Sequence, residues 1–251
     1  MNIEPILLKP APDYLAPDDS EIYLLANGSH GGLCQCVLPA GKTSHACDAA
    51  LLVGLNPQRM DTMTVIEADS SHVDYLSDFG SRSFIYAYQC TLPVEELRKY
   101  TNVAFAESAI RKEIQASLAT YFICQDSELN PCGYAKLIKS PPPQCVNSDS
   151  CIELQRLYVD SNFRGYGVGR RLELHAESYA RKRNICDIWL RVWEGNVVAQ
   201  EIYRHWDFEI VGEELYQVGR DRRTVLLMRR SLRRDGRTKS RSNKAIDSDK
   251  K

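Results

Sequence analysis

Between Arg164 and Arg170 the chain reads Arg-Gly-Tyr-Gly-Val-Gly-Arg, with glycines alternating at 165, 167 and 169. Lacking side chains, these residues let their amides approach a bulky anion, and positive φ costs them little. An apolar run precedes the loop and an amphipathic segment follows it. The loop therefore empties into a helix N-terminus, where four amides have no intrahelical partner and the dipole is positive. Arg164 and Arg170 add charge. This is the chemistry of a pyrophosphate cradle. A Walker loop needs Gly-Lys-Ser/Thr, whereas Gly169 is followed by Arg170-Arg171. A Rossmann fingerprint needs G-x-G-x-x-G, and the spacing here is G-x-G-x-G. The other reading of the same glycines is a turn that only lets helix and strand pack closely.

The elements that must position this loop follow from periodicity. Cys151–Val159 reads as a strand that feeds the loop. A helix is expected from Gly167 to Lys182, with Val168, Leu172, Ala176 and Tyr179 on one face, basic residues in its last turn and Asn184 closing it. Asp187–Trp193 is a further strand, Asn196–Trp206 a helix capped by Asn196, and 208–217 and 224–230 are closing strands. Upstream, Thr64–Ala68 is a β-branched strand, Asp69 or Ser70 caps a helix towards Phe79, and helical material runs from Pro93 to Ile114. Tyr121–Gln125 and Gly133–Lys139 form a strand pair. This order predicts an α/β (α+β) domain on a mixed sheet.

Composition bounds the rest. The chain has 251 residues, 43% hydrophobic and 26% charged, which suits one globular domain with flanking segments. We divide it into an extension at 1–61, a main domain at 62–232 and a basic tail at 233–251. No apolar run has membrane-spanning length and no secretory signal opens the chain, so the expected location is cytoplasmic, with a nuclear address for the tail as the alternative. Nine cysteines at irregular spacing do not describe a disulfide framework. His30, Cys34, Cys36, His45 and Cys47 are crowded, but Cys34-x-Cys36 is tighter than zinc-ligand spacing and no second knuckle follows, so no metal is expected. From Arg229 to Lys251 there are ten basic and three acidic residues, a net of +7, which leaves −8 on the remainder of a chain whose formal charge is −1. An acidic body suits a cationic substrate better than nucleic acid.

The residues at the loop resemble the GNAT acetyltransferase superfamily. Arg164, Gly167 and Gly169 match its Q/R-x-x-G-x-G/A signature. The stretch Val192-Trp193-Glu194-x-Asn196-x-x-Ala199-x-x-x-Tyr203 is similar to its second cofactor motif. Phe208-Glu209, Glu95-Glu96-Leu97-x-x-Tyr100 and Ala104-Phe105 resemble the PaiA-type branch, which acetylates polyamines. The likeness spans residues 64 to 232. One departure is Asp207 where the family has Gly before Phe208; Asp tolerates the left-handed conformation at modest cost.

The resemblance implies a GNAT fold, a mixed sheet of about six to seven strands flanked by about four helices. It implies acetyl-CoA as co-substrate and acetyl transfer to a primary amine by direct attack in a ternary complex. The acceptor is expected to be a small molecule such as a polyamine, and the protein a monomer or homodimer. A protein or peptide acceptor and a catalytically inactive acetyl-CoA sensor or scaffold are the alternatives. The cofactor-binding residues implied are Leu157, Tyr158, Val159, Arg164, Gly165, Tyr166, Gly167, Val168, Gly169, Arg170, Asn196 and Ala199. Backbone amides around Leu157–Val159 would polarise the thioester carbonyl. Glu153 matches a glutamate that serves as a water-mediated base in some members; its other reading is a strand carboxylate paired with an arginine. Asn196 and Tyr203 lie seven residues apart, on one helix face, so Asn196 can hold the pantetheine arm while Tyr203 donates a proton to the sulfur. A core aromatic is the other reading of Tyr203. Tyr86, Tyr88 and Glu107 are candidates for the acceptor side.

Overall fold

The computed structural model describes residues 62–218 and 221–233. The extension at 1–61 with its His/Cys group, and the tail beyond 233, lie outside the described residues.

Seven strands form one sheet: β1 (Thr64–Glu67), β2 (Ala119–Gln125), β3 (Pro131–Ile138), β4 (Cys151–Val159), β5 (Asp187–Trp193), β6 (Glu209–Val218) and β7 (Asp221–Ser231). Their order across the sheet is β1-β2-β3-β4-β5-β7-β6. Five helices are described: α1 (Val73–Tyr88), α2 (Val94–Ala104), α3 (Glu107–Gln115), α4 (Val168–Lys182) and α5 (Val197–His205). The mixed α/β sheet anticipated from the sequence is present. The helix number is one above the expected figure because the helical stretch from Pro93 to Ile114 divides at Phe105. There the Ser77 hydroxyl donates to the Phe105 carbonyl at 2.6 Å, and the Phe105 side chain turns into the core.

Neighbouring strands are antiparallel except β4 and β5, which run parallel. A parallel pair needs a crossover, and α4 supplies it. Two cores result. On one face α4 and α5 cover Leu154, Leu157, Val159, Ile188, Leu190 and Met228. On the other, α1 to α3 cover Tyr121, Ile123, Tyr134 and Tyr158 with Phe79, Phe84, Tyr100 and Phe105.

β4 is the strand that matters most for the loop. Lys136 faces Arg156 across the ladder, but the next residue, Leu137, faces Leu154, so Gln155 is one residue too many. This bulge changes which way β4 side chains point. Leu154 and Leu157 share a core although an odd spacing would send them to opposite faces of an unbroken strand. Glycine is required opposite this stretch: a Cβ on Gly133 would sit 2.4 Å from the Tyr158 carbonyl. The α1–α3 face also holds a buried ion pair. Lys136 Nζ lies 2.8 Å from Glu113, each no more than 4% exposed, and the Tyr121 hydroxyl donates to the other Glu113 oxygen.

Candidate active site

The parallel pairing of β4 with β5 runs only through Cys151–Asp187, Ile152–Ile188 and Glu153–Trp189. Both strands continue beyond it, to Val159 and Trp193. On its other edge β4 stays paired with β3 as far as Val159. Leu157, Tyr158 and Val159 therefore present a second backbone edge with no β5 ladder on it. Their side chains are buried, at most 5% exposed, so the backbone is what they can offer a ligand.

The chain then makes a 3-10 turn, Ser161–Phe163, with the Asp160 carboxylate accepting from Asn162 N at 2.9 Å, and enters the glycine loop. Gly165 and Gly167 have φ of 77° and 76°. These values strain any side-chain-bearing residue, which explains glycine at both positions. Gly167 is the N-cap of α4 and, having no side chain, makes no capping bond. The first-turn amides of α4 thus keep their capacity for an anion. Gly169 and Val168 are buried within α4, and Gly169 is not among the left-handed glycines. Tyr166 and Arg170 are partly exposed beside them.

Arg164 stands over Tyr86 of α1, its guanidinium carbon 5.9 Å from the ring centroid. Its Nε and Nη1 are buried and have no hydrogen-bond partner among the described residues. Burial pushes its pKa down. A cation left with unused donors beside a cap of bare amides fits a phosphate, which accepts guanidinium bonds in pairs.

α5 brings the remaining residues. Asn196 caps it, its side-chain oxygen accepting from Ala199 N at 3.2 Å. Ala199 is fully buried with its N–H taken, so it stands in the core beneath the site. Tyr203 is 0% exposed, packed edge-on against Trp206 and Phe208 with centroids 5.7 Å away in each case. It packs as a core aromatic does, yet its hydroxyl is buried with no hydrogen-bond partner among the described residues. Burial, then the nearby Glu173 carboxylate, pushes its pKa well above the ordinary tyrosine value. It holds its proton and can donate it as a hydrogen bond.

Glu153 sits where β4 and β5 last pair. It is fully buried; one oxygen accepts from Arg191 Nη1 at 2.8 Å and the other from the Ser140 hydroxyl. Of the two readings of this residue, the paired strand carboxylate is the arrangement seen. Arg191 is shared with Glu214 of β6. Of the three residues expected on the acceptor side, Tyr86 is 52% exposed and stands against Arg164, Tyr88 is buried under the Arg223 guanidinium, and Glu107 opens α3 at the surface. Arg223 also donates to the Thr91 carbonyl at 2.7 Å and lies 4.8 Å from the Trp193 ring, tying the end of α1 to β7.

Three features escaped the sequence reading. The Gln155 bulge leaves no compositional mark. Glu173 does leave one: it lies on the buried stripe of α4, with 169, 172, 176 and 180. Arg229 and Arg230 look like the start of the basic run, but β7 takes both into the sheet, where Arg229 donates to the Val146 carbonyl at 2.8 Å and Arg230 meets Glu173 and Glu177. Among the described residues no group of three or more His, Cys, Asp or Glu gathers as a metal site, and no helix is long and apolar enough to cross a membrane. Two surface cavities, of about 330 and 290 Å³, lie along the outer side of α4 and near its C-terminal end, away from the loop. The loop site is a strand edge followed by a helix terminus.

Comparison with known proteins converges on the same stretch. The Acetyltransferase (GNAT) family matches residues 83–208. An uncharacterized N-acetyltransferase encoded in the pepI 3′ region of Lactobacillus delbrueckii subsp. lactis is 27% identical over 139 residues, 55% of this chain and 79% of that protein. Among solved structures, the fold is shared with the PaiA N-acetyltransferase of Thermoplasma acidophilum in complex with coenzyme A, at 17% identity and a TM-score of 0.53 over 68% of this chain and 99% of that one. It is shared equally with the Vibrio cholerae spermidine N-acetyltransferase in complex with CoA and spermine, at 19% identity and 0.53 over 68% and 96%. With a parted β4–β5 pair, a glycine loop capping α4 and half of its length within the family, the chain belongs to the GNAT acetyltransferases and is an N-acetyltransferase.

Proposed function

We propose that this chain transfers the acetyl group of acetyl-CoA to a primary amine of a small molecule, of the polyamine class, within a ternary complex. The observation that carries this reading is the bare N-cap of α4 following a β4 edge that has no β5 ladder, with Arg164 Nε and Nη1 and the Tyr203 hydroxyl buried without a hydrogen-bond partner among the described residues. Acetyl-CoA, when bound, supplies an activated acyl thioester. Arg164, Arg170 and the amides of Gly165 and of 167–170 hold its pyrophosphate. Leu157–Val159 take its pantetheine arm along the strand edge, assisted by the Asn196 side-chain amide. Tyr203 donates to the sulfur as the C–S bond breaks, which spares the site a bare thiolate.

On the acceptor side the amine must arrive neutral, although a free alkylammonium has a pKa of about 10.4. Glu153 stands at the apex where β4 and β5 part, held by Arg191 and Ser140. In this reading it serves only through water, as an indirect base. The small-amine class is supported by the fold shared with two polyamine-type acetyltransferases and by the formal −8 outside the basic run. A thiol-release assay with acetyl-CoA and a panel of spermidine, spermine, amino acids and basic peptides tests it. Release with the polyamines alone is the expected result. Release with peptides alone moves the acceptor to protein, and cofactor binding without release from any amine marks a sensor.

A further inference from the structure

Glu173 takes no part in the function described so far. It lies in α4, one turn after the glycine loop, and is 0% exposed. A carboxylate taken out of water is costly unless it is paired and hydrogen-bonded. Arg170 and Arg230 each donate to one of its oxygens. Burial still pushes its pKa up, against the pull of both arginines.

The pairing reaches further than α4. The Arg170 guanidinium also lies 5.7 Å from the centroid of the Trp206 ring, a cation–π distance. Trp206 in turn meets Tyr203 edge-on at 5.7 Å and an interplanar angle of 73°. A line of direct contacts thus runs from the buried carboxylate, through one arginine and one indole, to the ring whose hydroxyl has no partner. The charged groups around it are Arg170, Glu173 and Glu177 from α4 and Arg230 from β7. Glu177 is occupied by Arg181 and Arg230. Glu173 is the charge that acts on the Tyr203 phenol.

We propose that Glu173 is a positioning residue for acetyl transfer: by anchoring Arg170 against Trp206 it fixes the Tyr203 ring with its hydroxyl turned to the departing sulfur. The proposal rests on Tyr203 being the hydrogen-bond donor to that sulfur. It also gives Arg170 two duties, since the guanidinium that steadies Trp206 belongs to the cofactor loop.

The test is a double-mutant cycle on kcat. Glu173→Gln and Arg170→Gln are each made in the wild-type and in the Tyr203→Phe enzyme, and kcat and the KM for acetyl-CoA are measured with thermal melts alongside. Tyr203→Phe should lower kcat by about 10²-fold. Glu173→Gln should lower kcat by about tenfold with little change in KM, equivalent to about 1.4 kcal/mol. Arg170→Gln should do the same and raise the KM as well. Neither change should lower kcat further, beyond about twofold, once Tyr203 is Phe. An equal fold loss in both backgrounds makes Glu173 a structural support of α4 and overturns the proposal, as does an undiminished kcat in Glu173→Gln. If Tyr203→Phe itself keeps full turnover, the reading of Tyr203 fails first and takes this proposal with it. Should Glu173→Gln not fold, Arg170→Gln carries the cycle, because the Arg170 side chain is already 37% exposed.

Discussion

Replacing Tyr203 by Phe should make the free protein more stable while making it a poorer enzyme. The ring of Tyr203 is fully buried between Trp206 and Phe208, and those contacts survive the change. What is lost is one hydroxyl, buried and without a hydrogen-bond partner. Leaving such a group unsatisfied costs about 1–3 kcal/mol, because its bonds to water are given up and nothing replaces them. Tyr203→Phe removes that cost. In a domain of this size each kcal/mol moves the melting temperature by about 2–4 °C, so the variant should melt roughly 2 °C or more above the wild type without cofactor. Its kcat should fall by about 10²-fold, and its affinity for acetyl-CoA should be nearly unchanged. Saturating acetyl-CoA should raise both melting temperatures and leave the gap between them nearly as it was, since equal affinities stabilise both proteins equally. Calorimetry or a dye-monitored melt with and without acetyl-CoA, paired with thiol release, measures all of this. A variant that melts below the wild type shows that the hydroxyl is bonded in the fold, and undiminished turnover removes Tyr203 from the chemistry. Either result refutes the reasoning.

Other parts of the molecule give equally direct expectations. Gly167→Val should raise the KM for acetyl-CoA at least tenfold and cost about 1–2 kcal/mol of stability, because the φ of 76° is retained only under strain; an unchanged KM removes the loop from phosphate binding. Glu153→Gln should destabilise the fold by about 1–3 kcal/mol, since Arg191 keeps Glu214 as a partner, and should abolish the acidic limb of the pH–rate profile; a limb retained in a folded variant removes Glu153 as the water-mediated base. Lys136→Met should cost about 3–5 kcal/mol by stranding Glu113, and the double change with Glu113→Gln should recover most of it in urea unfolding. Burial holds the Lys136 ammonium down to about 8 in the fold, against 10.5 for an ordinary lysine. Between those values the unfolded chain binds the proton and the fold does not. Stability should therefore rise with pH across that window, and the rise should be absent from Lys136→Met.

Much of the architecture was legible because it is written in local periodicity. Cys151–Val159 and Asp187–Trp193 read as strands from their apolar runs, and the structure forms those residues as strands. The glycine spacing at 165–169 excluded Walker and Rossmann loops without reference to any coordinate. Asn196 declared itself as a cap, and Asp207 takes the left-handed φ of 65° expected of it. Less legible was the division of the helical stretch at Phe105, which depends on a hydrogen bond from Ser77, 28 residues earlier.

What the sequence determined by itself is the loop and the elements on either side, because glycine torsions, caps and apolar repeats act within a few residues. What only the tertiary structure decided is how side chains far apart in the chain meet. It placed Glu153 in an ion pair with Arg191, 38 residues on. It took Arg230 out of the basic run and set it on Glu173, 57 residues away. It left the Tyr203 hydroxyl without a hydrogen-bond partner among the described residues while packing its ring. Each is a matter of which groups share a volume from which water has been excluded. Burial sets the energy of a charge or a hydroxyl far more strongly than its sequence neighbours do, and burial is a property of the assembled fold.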